Sequence, residues 1–323
     1  VGAVLHAFSI PLAVPFRGLT QRRGLVFAGS SGWAEFSPFE EYSPVESVPW
    51  WRAAQEAAEQ GFPPPVRSRV PVNAIIPAVG PELVPGLLAL ARGCTTAKVK
   101  VAQRGQSVTQ ELDRVAAVRD VLGPKGRIRI DANGAWDFDT AVERIRVLDH
   151  AAGGLEYAEQ PCADAADLAR IRRQVDVPIA ADESIRRASD PFRVKALEAA
   201  DLVVLKVQPL GGVRACLHLA AELDLPVVVS SAVETSVGLA AGLALAAALP
   251  DLDYACGLGT LTLLEGDLVE SGQVTVKSSG WLASTLPAPP TPQLLDRYSA
   301  PPMVRERWLA HWDQTRRLAE TAT

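Results

Sequence analysis

Cysteine and histidine are scarce in this sequence, which has four of each among 323 residues. The cysteines are far apart and form no C-x-x-C pair, so we expect buried, reduced thiols rather than a metal or redox centre at positions 94, 162, 216 and 256. A long apolar run is also missing, since the stretch of small apolar residues at 238–249 is too short to span a bilayer. The apolar stretch near the amino end is interrupted by Arg17, Arg22 and Arg23, so no secretory leader is predicted and a cytoplasmic protein is expected.

An excess of positive charge is absent as well. The formal net charge is −5 and the sequence pI is about 5.5, and no basic cluster stands out. Nucleic acid is therefore not expected as a partner, and neither is a membrane. Apolar residues make up 48% of the chain, which is enough to build a large core. The composition favours a globular protein with a small-molecule partner.

Lysine is much rarer than arginine, with six residues against 26. Three of the six lysines, Lys98, Lys100 and Lys206, fall at the ends of predicted strands. Arginine stays protonated in a protein, whereas a buried lysine can give up its proton. The retention of lysine at these positions is a first indication of proton-transfer chemistry.

From about residue 70 onward, short β-branched runs alternate with longer stretches of helical period. Eight such strands separated by helices predict a parallel sheet, and eight is the number that closes into a barrel. Because the last unit is less regular, we expect an α/β fold with a modified (β/α)8 barrel. The predicted strands are 70–76, 97–101, 128–132, 155–158, 178–181, 202–207, 226–230 and 254–258.

Residues 1–69 have a different pattern, in which three strand-like runs precede a predicted helix at 48–60. Three consecutive prolines at 63–65 mark the end of this part, because proline neither donates to a ladder nor continues a helix. We predict an α+β capping domain at 1–69, completed by the segment from about 270 to 323, and a barrel domain at 70–269.

Charged residues follow successive predicted strands of the barrel, where active sites of this architecture are built. Asp131, Glu159, Asp182 and Lys206 are each separated by about one strand–helix unit. Lys98 and Lys100 alternate with valines, so both lysines lie on one face of their strand. Burying two ammonium groups is costly unless anions lie close to them, and the next three strands supply carboxylates.

Three carboxylates at one point bind best to a hard cation. Oxygen-only ligation favours Mg²⁺, with Mn²⁺ as a substitute, and the four histidines lie away from these strand ends. A divalent ion beside lysines suits the removal of a proton next to a carboxylate: the ion neutralises the enediolate and a lysine takes the proton.

Other interpretations of these residues stay open at this point. A single aspartate at a strand end is commonly a helix cap or turn residue, and the whole set could be an internal salt-bridge network. Lys206 could instead form a Schiff base in an aldolase. A barrel kept as a binding scaffold would need none of this chemistry.

The pieces Lys98-Val99-Lys100, Asp131-Ala132-Asn133, Glu159-Gln160-Pro161, Asp182-Glu183-Ser184 and Lys206 resemble the muconate-lactonizing subgroup of the enolase superfamily. This resemblance implies a metal bound by Asp131, Glu159 and Asp182. It further implies Lys100 as the general base, Lys98 as its charged neighbour and Lys206 as the cation across the substrate. Asn133 and Glu183 would not bind the metal themselves but would contact the residues that do.

Within this subgroup, the stretch 33–39 resembles the cap motif of the o-succinylbenzoate synthases, and the segments 15–20 and 256–260 resemble their actinobacterial branch. The resemblance implies a syn dehydration of a small-molecule carboxylate in menaquinone biosynthesis. Dipeptide epimerases of the subgroup usually carry an Asp-x-Asp on the last strand, and this chain has none there. An N-acylamino acid racemase, which would use lysines on both faces, is the nearest alternative.

The contacts to the substrate are predicted from position alone. Backbone N–H groups at Gly257 and Gly259, with Ser230 or Ser231, are expected to hold the succinyl carboxylate. Arg129 lies two residues before Asp131 and points the same way, so it is expected to face the substrate. A cap residue, Arg17, completes the predicted set of substrate contacts.

Overall fold

The computed structural model describes residues 4–16, 18–91, 93–187, 190–270 and 274–321. Its amino-terminal part is a three-stranded antiparallel sheet in the order β1-β2-β3, followed by a helix. Helix α1 runs directly into a π-helical turn, so the predicted helix at 48–60 is present in two forms. These elements are β1 His6–Phe16, β2 Leu19–Ala28, β3 Trp33–Phe36, α1 Val48–Gln55 and the turn Glu56–Gln60.

The barrel contains a parallel sheet of seven strands within the described residues, in the order β11-β10-β9-β8-β7-β6-β5. Consecutive strands are neighbours in space, as expected for repeated strand–helix units. The strands are β5 Ala74–Ile76, β6 Thr96–Lys100, β7 Arg127–Asp131, β8 Tyr157–Glu159, β9 Ile179–Ala181, β10 Leu202–Lys206 and β11 Val227–Ser230. The helices are α2 Val84–Leu90, α3 Val108–Leu122, α4 Phe138–Ala152, α5 Ala165–Arg172, α6 Glu183–Arg186, α7 Arg193–Ala196, α8 Val213–Leu223 and α9 Ser236–Ala248.

Side chains of the barrel strands alternate between two cores, because successive residues of a strand point to opposite faces. Outward residues such as Val99 and Ile130 join the large core beneath the helices. Inward residues such as Tyr157, Val204 and Val228 form a separate small cluster that fills the barrel interior. The interior is therefore packed below the level of the charged strand ends.

The first and last predicted strands are irregular. The run 70–76 is split into β4 Arg69–Pro71, which pairs with β12 Trp281–Ala283, and β5. The predicted strand 254–258 is not a regular strand in the described chain, and only isolated bridges connect it. Val72 pairs with Cys256 and Ser230 pairs with Gly257 in parallel, so this segment takes the eighth position and closes the barrel. The expectation of a modified (β/α)8 barrel is confirmed.

The cap is docked on the barrel by carboxylates that occupy the amino ends of two barrel helices. Glu35 of β3 accepts from the backbone N–H groups of Thr235 and Gly238, each at 3.1 Å, at the start of α9. Glu56 accepts from the N–H groups of Val213 and Arg214 at the start of α8, at 2.5 and 3.1 Å. Helix amino ends favour negative charge and carry unpaired N–H groups. Each glutamate supplies both the negative charge and the hydrogen-bond acceptors.

The carboxyl-terminal segment returns to the cap. Helices α10 and α11 span Pro292–Arg297 and Pro302–Thr321. Trp312 of α11 packs edge-on against Phe27 and Phe36 of the cap sheet, with ring centroids 5.1 Å apart in both pairs. This contact agrees in position with a cap built from both chain ends, while the boundaries at 1–69 and 70–269 stay a prediction.

Two expectations from composition can be compared with the described part of the chain. All four cysteines are buried and unpaired, and burial raises the pKa of the Cys256 thiol to about 12, so the prediction of inert reduced thiols is confirmed. A search of the described residues for a helix long and apolar enough to cross a membrane finds none.

The close approach at the barrel seam generates a first prediction. A Cβ atom added at Gly257 would lie 2.5 Å from Oγ and 3.2 Å from Cβ of Ser230. We expect Gly257→Ala to lower the free energy of unfolding by ~2 kcal/mol, measured by urea denaturation, because the seam must open to accept the methyl group.

The control is Gly86→Ala in α2, where an added Cβ meets nothing within 4 Å and unfolding should be unchanged or slightly more costly. Ser230→Ala should recover part of the loss in the Gly257→Ala background, because it removes the nearest atom. Equal stability of Gly257→Ala and the wild type would show that this segment does not close the barrel tightly.

Candidate active site

The charged strand ends meet at one level of the barrel. Lys100 and Asp131 are register partners on β6 and β7, and Asp131 and Glu159 are partners on β7 and β8. Asp182 follows the end of β9, and Lys206 ends β10. The sequence spacing of one strand–helix unit therefore produces a side-by-side row of charges at the carboxyl ends.

Each predicted metal ligand is bonded to an ammonium group in this structure. Nζ of Lys98 lies 3.0 and 3.1 Å from the two carboxylate oxygens of Glu159 and 3.2 Å from Oδ2 of Asp131. Nζ of Lys100 donates to Oδ2 of Asp131 at 2.5 Å, and Nζ of Lys206 donates to Oδ2 of Asp182 at 2.5 Å. The structure thus brings together all six residues predicted to carry the chemistry.

The two lysines of β6 differ in their electrostatic surroundings. Burial alone would lower the pKa of Lys98, but the charges of Glu159 and Asp131 outweigh it and raise that pKa well above its usual range. Burial lowers the pKa of Lys100, and the charge of Lys98 adds to this effect against the opposing charge of Asp131. Lys98 is therefore a permanent cation, and Lys100 is the lysine suited to releasing its proton.

The three carboxylates repel one another electrostatically. Burial raises the pKa of Glu159 to about 7, and the charges of Asp131 and Asp182 add to this effect. In the described chain, no group of three acidic, histidine or cysteine side chains is already arranged for a metal, because the carboxylates face the lysines instead. The donor set nevertheless fits a hard divalent cation: it offers oxygen only, comes from adjacent strands and is crowded with negative charge.

Two amide side chains support the row of carboxylates. Asn133 accepts from Nζ of Lys100 at 2.7 Å and donates to Oε1 of Glu183 at 3.2 Å, while the supporting role of both residues at a metal stays a prediction. Gln160, which the sequence analysis left without a role, accepts from the backbone N–H of Asp182 at 2.9 Å. Asn133 and Gln160 both have positive φ, at 49° and 40°, so each strand turns sharply just after its ligand.

Sequence reasoning also missed Arg186, which is bonded to Asp182 and Glu183. Burial would lower its pKa, but the charges of Asp182 and Glu183 raise it well above the usual value. Arg186 lies four residues after Asp182, and this helical spacing for an ion pair was the signal that could have found it. The hydroxyl of the cap residue Tyr42 accepts from the same guanidinium at 2.7 Å, a contact that the sequence does not predict.

A cavity of about 550 Å³ opens at the carboxyl ends of β5, β6 and β7, and Lys100 is the member of the charged row that lines it. Lys100 and Asn133 lie in its floor, and Phe16 and Gly18 of the β1–β2 turn form a wall contributed by the cap. Nζ of Lys100 lies 5.2 Å from the centre of the Phe16 ring. The size and mixed lining are those of a site for a small organic ligand.

The predicted substrate contacts have different outcomes. Ser230 ends β11 as the register partner of Lys206, which places it beside the site. The hydroxyl of Ser231 lies 2.9 Å from that of Thr260. The N–H of Gly257 already donates to the carbonyl of Val229 at 2.8 Å, so its predicted bond to a carboxylate is wrong.

Gly259 and Arg17 complete this comparison. Gly259 borders a different cavity, with Leu90 and Val276, and its contact with the substrate stays a prediction. The backbone geometry behind the Gly257 prediction was incomplete, because it did not include the bridges that close the barrel. Arg17 lies outside the described residues, so its role stays a prediction.

Arg129 points into the barrel as predicted but does not face the cavity. Its guanidinium bonds Glu156, donates to the carbonyl of Ala255 at 2.6 Å and lies 4.7 Å from the centre of the Tyr157 ring. These partners belong to the packed interior below the carboxylates. The prediction that Arg129 faces the substrate is therefore wrong, because its long side chain extends toward the amino ends of the strands.

Comparison with known proteins agrees with this geometry. Residues 87–283 match the enolase C-terminal domain-like family, and residues 7–58 match the enolase N-terminal domain-like family. A Thermobifida fusca protein named o-succinylbenzoate synthase is 66% identical over 265 residues, covering 82% of this chain and 83% of that protein. A protein of the same name from Mycolicibacterium smegmatis is 50% identical over 94% of this chain and 92% of its own length.

The chain belongs to the o-succinylbenzoate synthase family of the enolase superfamily. Solved structures support the fold independently. The muconate lactonizing enzyme from Pseudomonas fluorescens superposes with a TM-score of 0.77 at 19% identity, covering 93% of this chain and 98% of that chain. At this identity the likeness concerns the fold alone, a capped barrel.

The reassignment of Arg129 can be tested by separating stability from substrate binding. Arg129→Met should lower the free energy of unfolding by ~3 kcal/mol, because it leaves Glu156 without its buried partner. The KM for the substrate should change little, because the side chain lies below the cavity.

The matched control is Arg127→Met, which removes the other, 60% exposed partner of Glu156 and should cost at most ~0.5 kcal/mol. Urea denaturation and steady-state kinetics give the two quantities. A large rise in KM with unchanged stability would return Arg129 to the substrate site.

Proposed function

We propose that the protein catalyses the syn dehydration of 2-succinyl-6-hydroxy-2,4-cyclohexadiene-1-carboxylate to o-succinylbenzoate, a step of menaquinone biosynthesis. The names of relatives at 50 and 66% identity support this substrate. The observation that carries the chemistry is the row of three carboxylates and three lysines at the carboxyl ends of the barrel strands, from which Lys100 reaches the cavity.

Asp131, Glu159 and Asp182 would hold a divalent cation, Mg²⁺ or Mn²⁺, whose chemistry is to stabilise negative charge on a substrate carboxylate. Their oxygens are buried and converge from three adjacent strands. The backbone N–H of Asn133 donates to Oδ1 of Asp131 at 3.0 Å, and the side chain of Gln160 accepts from the backbone N–H of Asp182 at 2.9 Å, so two of the three ligands are restrained. Such supporting contacts keep carboxylates in place when their charge partners change.

Lys100 would remove the α-proton of the substrate as its neutral amine. Its lowered pKa makes the amine accessible, and the fixed charge of Lys98 helps to keep it so. The resulting ammonium would then protonate the departing hydroxyl on the same face of the ring, so that water leaves and the ring becomes aromatic. Lys206, on a strand four positions away in the sheet, would stabilise the intermediate from the other side.

A second candidate activity is supported by the same placement. Lysines on β6 and β10 face the site from opposite sides, which is the arrangement that racemisation of an N-acylamino acid requires. Incubation of one N-succinylamino acid enantiomer in D₂O would reveal this activity as exchange with inversion. The aldolase alternative is disfavoured, because it needs a free Nζ on Lys206, which instead donates to Oδ2 of Asp182 at 2.5 Å.

The proposed reaction is tested by ultraviolet detection of aromatisation. With Mg²⁺ present, the hydroxycyclohexadiene substrate should be converted rapidly, and excess EDTA should abolish the conversion because the enediolate charge loses its counterion. Restoration by Mg²⁺ or Mn²⁺ is the control for irreversible loss. Full activity in EDTA would contradict the metal-dependent mechanism.

The role of Lys100 is tested by Lys100→Ala. We expect kcat to fall by about 10³-fold or more, because both the proton abstraction and the proton delivery are lost. Lys125→Ala, at an exposed lysine just before the amino end of β7 and thus at the opposite end of that strand from Asp131, is the matched control and should keep wild-type kcat. Direct titration with Mn²⁺ should show metal binding by both variants, and a Lys100→Ala variant with substantial turnover would exclude Lys100 as the base.

A further inference from the structure

One side chain, Arg186, connects the cap to both lysine-bearing sides of the site. Its Nε donates to Oδ1 of Asp182 at 2.9 Å, its Nη1 donates to the hydroxyl of Tyr42 at 2.7 Å, and its Nη2 donates to Oε1 of Glu183. The side chain is only 1% exposed, so all three bonds are formed away from solvent. Charge-assisted bonds in such an environment are strong and directional.

The first branch of this network leads to Lys206. Arg186 occupies Oδ1 of Asp182, and the other oxygen, Oδ2, accepts from Nζ of Lys206 at 2.5 Å. The carboxylate is therefore held at both oxygens, and Oδ2 is the one directed to the interior of the site. A guanidinium at Oδ1 fixes the rotation of the ligand.

The second branch leads to Lys100. Oε1 of Glu183 accepts from Arg186 and also from Nδ2 of Asn133 at 3.2 Å. Oδ1 of the same asparagine accepts from Nζ of Lys100 at 2.7 Å. Glu183 and Asn133 thus connect Arg186 to the proposed general base, Lys100. On the other side, Asp182 alone connects it to Lys206.

The third bond leads out of the barrel into the cap. Tyr42 is buried and packs edge-on against Phe39 and Trp50, with ring centroids 5.9 and 6.1 Å apart. The aromatic cluster fixes the hydroxyl relative to the cap. Because Arg186 ends a helix of only four residues, that helix alone provides little restraint, and the cap supplies the rest.

We propose that Arg186 is a positioning residue for Asp182 and for both lysines, and that Tyr42 makes its position depend on a docked cap. The inference rests on the proposed function for the role of Asp182 as a metal ligand. Lysine cannot replace the arginine here, because one ammonium group cannot match the planar fork that reaches three acceptors. Cap docking and metal affinity should accordingly be coupled.

The test measures Mn²⁺ affinity directly, by the electron paramagnetic resonance signal of free Mn²⁺, without substrate. Arg186→Lys keeps the charge and should weaken Mn²⁺ binding by about 10- to 100-fold, as expected when a group that orients a ligand is lost. Tyr42→Phe removes only a hydroxyl and should weaken binding by about 5-fold, the value of one hydrogen bond. In turnover, kcat should fall for both variants with little change in KM.

Two matched variants separate this role from a general effect of the cap. Arg307→Met removes a guanidinium of α11 that is 57% exposed and bonds Glu40 of the cap at 2.5 Å. Tyr298→Phe removes a hydroxyl elsewhere in the chain. Both should leave Mn²⁺ affinity within about two-fold of the wild type.

A double-mutant cycle decides the connection between the cap and Arg186. Since Tyr42 acts through Arg186, Tyr42→Phe should have no further effect on Mn²⁺ affinity in the Arg186→Lys background. Additive effects, an unchanged affinity in Tyr42→Phe, or an equal loss in Arg307→Met would overturn the proposal. If Arg186→Lys does not fold, the comparison of Tyr42→Phe with Tyr298→Phe decides it.

This readout is independent of the substrate. A wild-type protein that binds Mn²⁺ but does not aromatise the hydroxycyclohexadiene substrate would contradict the proposed function and leave the cycle interpretable. Normal turnover with no effect of Tyr42→Phe or Arg186→Lys on Mn²⁺ binding would contradict only the present inference.

Discussion

The structure depends on a buried network of opposite charges at the carboxyl ends of the barrel strands. Among the described residues, direct hydrogen bonds join four carboxylates to four cationic groups: Asp131, Glu159, Asp182 and Glu183 with Lys98, Lys100, Lys206 and Arg186. Formal charges balance within this network. Loss of one partner would leave a buried charge at a cost of ~3–5 kcal/mol, so strand register and charge placement must agree.

The cap also places buried charges opposite suitable partners on the barrel. Carboxylates of the cap, Glu35 and Glu56, bond the amino ends of α9 and α8, two helices that follow the site's last strands. The cap also contributes Phe16 to the cavity wall and Tyr42 to the guanidinium of Arg186. The contacts that dock the cap are therefore close to those that shape the site.

Most of the fold and the charged centre could be predicted from the sequence. Parallel strands end at one edge, so a charged residue after each strand predicts a shared site, as Asp131 and Glu159 show. Two predicted contacts failed for different reasons. One depended on how the last barrel segment closes the barrel, and the other depended on the length of a side chain. The N–H of Gly257 is taken by a bridge between distant segments. Alternation placed Arg129 inside the barrel, but it does not specify toward which end a long side chain extends.

The most direct test of this account is a crystal structure with Mg²⁺ and o-succinylbenzoate. We predict one Mg²⁺ about 2.1 Å from oxygens of Asp131, Glu159 and Asp182, with Lys100 and Lys206 on opposite sides of the ligand ring. Arg186 should still be bonded to Asp182. A metal held by other side chains, or a ligand ring that contacts neither lysine, would contradict the central claim.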